Sequence, residues 1–351
     1  MPIRVLIVDD SALIRQMLTE ILITDPEIEV VGTAPNALVA RERIKALSPD
    51  VITLDIEMPH MDGLSFLEKL MALHPLPVIM VSTLGRQGPT LALRAMELGA
   101  VDWVAKPTLG IRSGMEALAE ELIGKVKIAA ATRPRSTTAT RQASSFVREE
   151  PANDDIGRVV AIGASTGGVE ALRHVIGRLP PSAPGILITQ HMPPGFTASF
   201  ARRMNEQCAV TVTEATDGAP IRRGHVYIAP GSRHLEIRQR GKEYVCRLHD
   251  DAPVSGHRPS VDVLFRSIAE VVGADSLGII LTGMGRDGAS GLLAMRQRGA
   301  RTLGQSEASC VIYGMPRVAK EFGAVESEMT LDRIAEEIVR TPVRSRAAAA
   351  H

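Results

Sequence analysis

The sequence has little cysteine, no excess of either charge and no long apolar run. Its three cysteines, Cys208, Cys246 and Cys310, lie far apart and show no C-x-x-C or His-paired spacing. They offer neither a disulfide framework nor a metal site, and they suit a reducing compartment. Lysine and arginine total 40, aspartate and glutamate total 40, and the formal net charge is zero. That balance argues against a broad nucleic-acid surface and for discrete local sites. No apolar run approaches the ~20 residues needed to span a bilayer. The first ten residues, M-P-I-R-V-L-I-V-D-D, read as a short strand ending in acids rather than as a leader. A cytoplasmic protein without membrane insertion is the expectation.

What is present is regular alternation. With 351 residues the chain has room for two domains, each with its own core. Strand-like runs at Val5-Leu6-Ile7-Val8, Val30-Val31, Val51 to Leu54, Val78 to Val81 and Val101 to Val104 alternate with amphipathic stretches such as Leu13 to Ile23 and Leu38 to Leu47. Five β/α units in about 125 residues predict a doubly wound parallel sheet. Thr132 to Asp155 is rich in Thr, Ser, Arg, Ala and Pro and lacks apolar periodicity, which reads as an exposed linker. Such a segment would span roughly 25–30 Å r.m.s.. A second α/β pattern starts at Val159. The expected division is a first domain over 1–125, a linker over 126–156, a second doubly wound domain over 157–341 and a disordered tail over 342–351.

In the first half, acids gather where strands end. Asp9 and Asp10 follow the first strand and Asp55 the third, and ligands of parallel sheets collect at those carboxyl ends. Three converging carboxylates would repel one another unless a divalent cation neutralised them, and hard oxygen ligands suit Mg²⁺. Ser82 follows the fourth strand and Lys106-Pro107 the fifth, a hydroxyl and a point charge suited to phosphate.

In the second half, G-A-S-T-G-G from Gly163 to Gly168 follows the apolar run Val159 to Ile162 and precedes a helix-compatible segment. A Ser in G-x-S-x-G at a strand-to-helix corner presents an exposed hydroxyl nucleophile. A helix cap and a phosphate cradle are the plainer readings of such a corner. As a nucleophile, Ser165 needs a base, and the base needs an orienting acid. His191 follows the neighbouring strand Gly185 to Thr189 and precedes M-P-P-G. The acid candidate is Asp287 in T-G-M-G-R-D-G, after the apolar run Leu277 to Leu281. Gly283, Met284 and Gly285 would let backbone N–H groups approach a developing oxyanion. Thr166, Met284 and Gly285 are the candidates for oxyanion or substrate contact. The order Ser, His, Asp differs from the Ser, acid, His order of α/β-hydrolases, which implies a different sheet.

Two resemblances follow from these residues. Asp9-Asp10, D-I-E-M-P from Asp55, Met61-Asp62-Gly63, Ser82 and Lys106-Pro107 resemble a response-regulator receiver domain. The resemblance implies phosphorylation of Asp55 by a partner histidine kinase, Mg²⁺ on Asp9, Asp10 and Asp55, and a switch read by Ser82, Lys106 and the aromatic Trp103. G-A-S-T-G-G, Q-H-M-P, Y-I-A-P-G-S-R-H, H-R-P-S-V-D-V-L-F, L-T-G-M-G-R-D-G and Y-G-M-P are similar to the chemotaxis protein-glutamate methylesterases, the CheB family. That resemblance implies nucleophile, base and orienting acid at Ser165, His191 and Asp287. It implies methylated chemoreceptors as substrates, a parallel glutamine deamidation, and no cofactor for the ester step. Charge screening over about 8 Å means a phosphate on Asp55 would act through a packing change rather than its field. The unphosphorylated receiver is expected to restrain the esterase. A DNA-binding regulator would need a helix-turn-helix and a basic face, and a dinucleotide module a true G-x-G-x-x-G; neither is visible.

Overall fold

The computed structural model describes residues 1–82, 88–106, 112–132 and 158–340. Pro107, most of the expected linker and the expected tail lie outside the described residues. The chain divides into two compact units, 1–141 and 142–351.

In the first unit β1 (Ile3–Val8), β2 (Ile28–Ala34), β3 (Val51–Asp55), β4 (Val78–Ser82) and β5 (Asp102–Ala105) alternate with α1 (Ala12–Leu22), α2 (Ala37–Leu47), α3 (Gly63–Leu73), α4 (Gly88–Glu97) and α5 (Arg112–Ala131). The sheet order is β2-β1-β3-β4-β5, all parallel. Both faces are covered, so β3 and β4 are buried throughout and read as unbroken apolar runs. The edge strand β2 is longer than Val30-Val31 because an edge tolerates Glu29 and Thr33, which break its apolar run. Ser11, Asn36 and Asp62 cap α1, α2 and α3 through backbone N–H groups of the first turn. Helix α5 continues to Ala131, six residues past the expected domain end at 125, with Val126 and Ala129 fully buried on one face. Strand order reverses between β1 and β3, which leaves a crevice at their carboxyl ends.

The second unit holds a parallel sheet of β6 (Val159–Ala164), β7 (Gly185–Gln190), β8 (Thr211–Glu214), β9 (His225–Ile228), β12 (Ser276–Ile280), β13 (Arg301–Gln305) and β14 (Ser327–Met329). Its order is β14-β13-β12-β6-β7-β9-β8. The helices are α6 (Gly168–Ile176), α7 (Phe196–Gln207), α8 (Val261–Val271), α9 (Ala289–Gln297), α10 (Met315–Glu321) and α11 (Leu331–Arg340). The sheet turns at β6: the chain leaves it toward β7 on one side and returns to β12 on the other. One element interrupts the expected alternation. An antiparallel hairpin, β10 (His234–Arg240) with β11 (Glu243–His249), turns at Gly241-Lys242, where Gly241 has φ 64°. It is tied to α8 by the Ile237 N–H donating to Ser267 Oγ at 3.0 Å. Val261, Leu264, Phe265 and Ile268 of α8 are fully buried beneath it. Among the described residues no helix is long and apolar enough to cross a membrane.

Candidate active site

Three neighbouring strands of the second unit deliver Ser165, His191 and Asp287 to one sheet edge. The ladder aligns Gly163 with Thr189 on β7 and with Ile280 on β12. It continues beyond the strand ends, because His191 N–H donates to Ala164 O at 3.1 Å and Ser165 N–H to Thr282 O at 3.0 Å. His191 Nδ1 lies 3.2 Å from Ser165 Oγ, and His191 Nε2 lies 2.8 Å from Asp287 Oδ2. A carboxylate only accepts, so the imidazole carries its proton on Nε2. The bare Nδ1 then accepts from the Ser165 hydroxyl.

Asp287 is held by the start of α8. Its Oδ1 accepts from Ser260 Oγ at 2.7 Å and Asp262 N–H at 3.1 Å, and its Oδ2 also accepts from Val261 N–H at 2.7 Å. The carboxylate thus caps a helix from another part of the chain, where the helix dipole favours negative charge. Burial works against the ionised form. The His191 bond and charge and the Ser260 and Val261 donors outweigh it, and the pKa of Asp287 lies below the ordinary carboxylate value. The corner needs Gly163 because Val261 fills the space a side chain would take: a Cβ there would sit 2.2 Å from Val261 Cγ1.

Three residues at this site, Ser260, His257 and Gln190, carry no assigned role in the sequence. His257 stacks on His191 with ring centroids 3.7 Å apart and planes 14° from parallel. Burial and the neighbouring His191 push its pKa from 6.5 down to about 4. Gln190 donates through Nε2 to the carbonyls of Ser165 at 2.9 Å and His191 at 3.2 Å, fixing the two corners to each other. His257, Ser260 and Gln190 lie within the quoted blocks H-R-P-S-V-D and Q-H-M-P, which were the available signal. Two other histidines of this unit are engaged elsewhere: His174 pairs with Asp332, and His249 faces Glu236 and Asp251.

His257 gives a pH prediction. Its folded-state value lies below its unfolded one, so the unfolded chain takes up the extra proton between about pH 6.5 and 4. The stability this group contributes is full above about 6.5 and is lost as pH falls toward 4. The urea midpoint of the wild type should therefore drop more steeply over that window than that of His257→Gln. Parallel drops would remove the assignment.

Around Ser165 the oxyanion candidates separate. Gly283 adjoins Ser165, since a Cβ on it would sit 2.7 Å from Ser165 Cβ. Its N–H, however, is committed to Ile312 O at 3.2 Å, and that of Ser165 to Thr282. Both N–H groups are thus taken, that of Gly283 by the 312–315 segment and that of Ser165 by the strand-end ladder. Among the described residues no backbone carbonyl takes the N–H of Thr166, Met284 or Gly285. Thr166 is buried at the start of the corner, Met284 is half exposed, and Gly285 has φ 87°.

In the first unit the acids converge as expected. Ligand oxygens of Asp9, Asp10 and Asp55 lie within 4.8 Å of one another, with Asp10 exposed and the others buried. Lys106 Nζ bridges Asp9 Oδ2 at 2.9 Å and Asp55 Oδ2 at 2.7 Å. Burial raises the Asp55 pKa to about 6, Lys106 opposing and Asp9 adding to the rise. Oxygen-only donors with one open, exposed member fit a divalent cation. Ser82 is buried at the end of β4, and its carbonyl accepts from Lys106 N–H at 2.7 Å. Trp103 is buried on β5, opposite Met80, with Lys125 Nζ 5.5 Å from its ring centre. Asp62-Gly63 closes under the site, where a Cβ on Gly63 would collide with Asp55 O at 1.9 Å.

Residues 160–338 match the CheB methylesterase family, and residues 5–118 match the response regulator receiver domain. The protein-glutamate methylesterase/protein-glutamine glutaminase of Pectobacterium atrosepticum is 54% identical over 337 residues, covering 96% of each chain. The protein of that name from Escherichia coli O157:H7 is 54% identical over 342 residues, again covering 96% of each. Among solved structures, the Thermotoga maritima CheB methylesterase catalytic domain is 35% identical with a TM-score of 0.51. That match covers 52% of this chain and 97% of the other. The chain belongs to the CheB family of receiver-linked protein-glutamate methylesterases/protein-glutamine glutaminases.

Proposed function

We propose that the protein is a phosphorylation-activated serine esterase that demethylates glutamate methyl esters, and deamidates glutamines, on cytoplasmic chemoreceptor segments. The observation that carries this reading is the contact chain from Ser165 Oγ through His191 to Asp287. Ser165 Oγ adds to the ester carbonyl carbon while its proton passes to His191 Nδ1. Asp287 stabilises the imidazolium. The N–H groups of Thr166, Met284 and Gly285 are the donors available to the oxyanion. The carbon–oxygen bond to the methoxy group then breaks, and His191 returns the proton to departing methanol. Water, deprotonated at the same Nδ1, cleaves the acyl-enzyme to free glutamate and restores Ser165. On glutamine the bond broken is carbon–nitrogen, and ammonia leaves. The proton inventory closes on these residues.

Control lies with the first unit. Asp55 accepts a phosphoryl group from the phosphohistidine of a kinase partner. Asp9, Asp10 and Asp55 would hold Mg²⁺, which when bound neutralises charge on the phosphoryl oxygens. Lys106 and the Ser82 hydroxyl would take the oxygens of the acyl phosphate, and Trp103 would follow the change from the adjoining strand.

The test is methanol release from methylated receptor with and without a small acyl-phosphate donor. The donor should raise the wild-type rate by roughly 5–150-fold, the range of a 1–3 kcal/mol coupling. Asp55→Asn should keep the basal rate and lose the increment. An undiminished increment in Asp55→Asn would show that the donor acts elsewhere.

A further inference from the structure

Asp287 takes all its donors apart from His191 from residues 260–262, so its position depends on what fixes that turn. Ser260 is the N-cap of α8, yet its hydroxyl caps nothing in its own helix and is given to Asp287. The Ser260 backbone N–H is given in turn to His234 Nδ1, at 3.2 Å. His234 is fully buried at the start of β10, and its Nε2 faces Ala252 O at 3.2 Å. A carbonyl can only accept, so Nε2 carries the proton and Nδ1 is the bare acceptor. His249 stacks on the ring at 5.1 Å between centroids and limits its rotation. Both ring nitrogens are thus assigned by their partners, in the tautomer that Ser260 requires. Burial lowers the pKa of His234, which favours the same neutral form.

We infer that His234, acting through Ser260, is a positioning residue that sets Asp287 against His191. The inference rests on the esterase reading and adds a residue that touches neither substrate nor nucleophile. It also gives the antiparallel hairpin a task, because β10 brings His234 to the turn before α8. A protonated or absent Nδ1 acceptor would leave the buried Ser260 N–H unpaired, and the cheapest relief is displacement of the 260–262 turn. Asp287 moves with that turn.

Two amides separate positioning from bulk packing. Asparagine at 234 places a carbonyl oxygen where Nδ1 stands, whereas glutamine reaches the Nε2 position and leaves Ser260 without an acceptor. In the full-length protein, with an acyl-phosphate donor present, His234→Gln should lower kcat for methanol release by about tenfold with KM little changed. His234→Asn should retain most of kcat. Ser260→Ala, which keeps the His234 contact and removes only the hydroxyl, should show the His234→Gln pattern. An Asn variant as impaired as the Gln variant, through misfolding or otherwise, overturns the proposal, as does a Gln variant with wild-type kcat. Ser165→Ala run alongside tests the esterase reading separately. If it stays active, that reading fails; if it is dead and the two amides behave alike, only the role of His234 fails.

Discussion

Ser165→Ala should lower kcat for methanol release by on the order of 10⁵–10⁶-fold, as expected for loss of a nucleophile from a unit of mutually dependent groups. In the proposed mechanism the Ser165 hydroxyl is the group that forms a bond to the substrate carbon. Gln190 Nε2 and the Ser165 N–H are committed to carbonyls, and Thr166 is buried with its own carbonyl bound by Thr282 Oγ1. KM should change little, because Oγ is spent on His191 before substrate arrives. A residual rate above the uncatalysed one is expected, since the oxyanion donors remain. Methanol release measured at saturating methylated receptor decides it. Retention of even a tenth of the wild-type rate would move the chemistry away from Ser165.

Asp287→Asn should cost about 10⁴-fold in kcat. The carboxylate accepts four bonds, from Ser260 Oγ, Val261 N–H, Asp262 N–H and His191 Nε2. An amide must turn its NH₂ toward two of those donors. If it faces Val261 and His191, the imidazole relieves the clash by moving its proton to Nδ1, and Ser165 loses its base. If it faces Ser260 and Asp262, the start of α8 is left with unpaired donors. Either arrangement removes the charge that stabilises the imidazolium. The loss should therefore appear in kcat, while the protein, still holding its fully buried α8 core, remains folded by circular dichroism. A variant within tenfold of wild type would mean that Asp287 does not orient the base.

The parts of this site visible in the sequence are those that local patterns encode. Apolar runs bounded by Gly, Asp or Ser locate strand ends, and that placed Ser165, His191, Asp9, Asp55 and Ser82 at the correct edges. Successive strands β6 and β7 are neighbours, so the pairing of Ser165 with His191 followed directly. The placing of β12 beside β6 did not, because sheet order is set by packing between distant segments and leaves no periodic trace. Asp287 joined the group by its strand-end position and by resemblance. The partners of Asp287 were further out of reach: Ser260 lies 27 residues away, and His234 lies 26 residues from Ser260 on a hairpin that interrupts the α/β rhythm. Gly283 shows the converse. A glycine-rich loop beside a nucleophile suggests backbone donors, but the structure has committed this N–H to Ile312.

Because β6 and β7 lie side by side, and Ser165 and His191 each stand one residue past the end of their strand, the spacing between these two is a spacing between strands, about 4.8 Å. Inserting or deleting one residue inside Val159–Ala164 would advance or retract Ser165 by about 3.3 Å and turn its hydroxyl to the opposite face of the sheet. A change of length in the turns at the other end of the sheet, such as that before Gly185, would leave both in place. The enzyme can therefore vary in length at one end of its second sheet and not at the other.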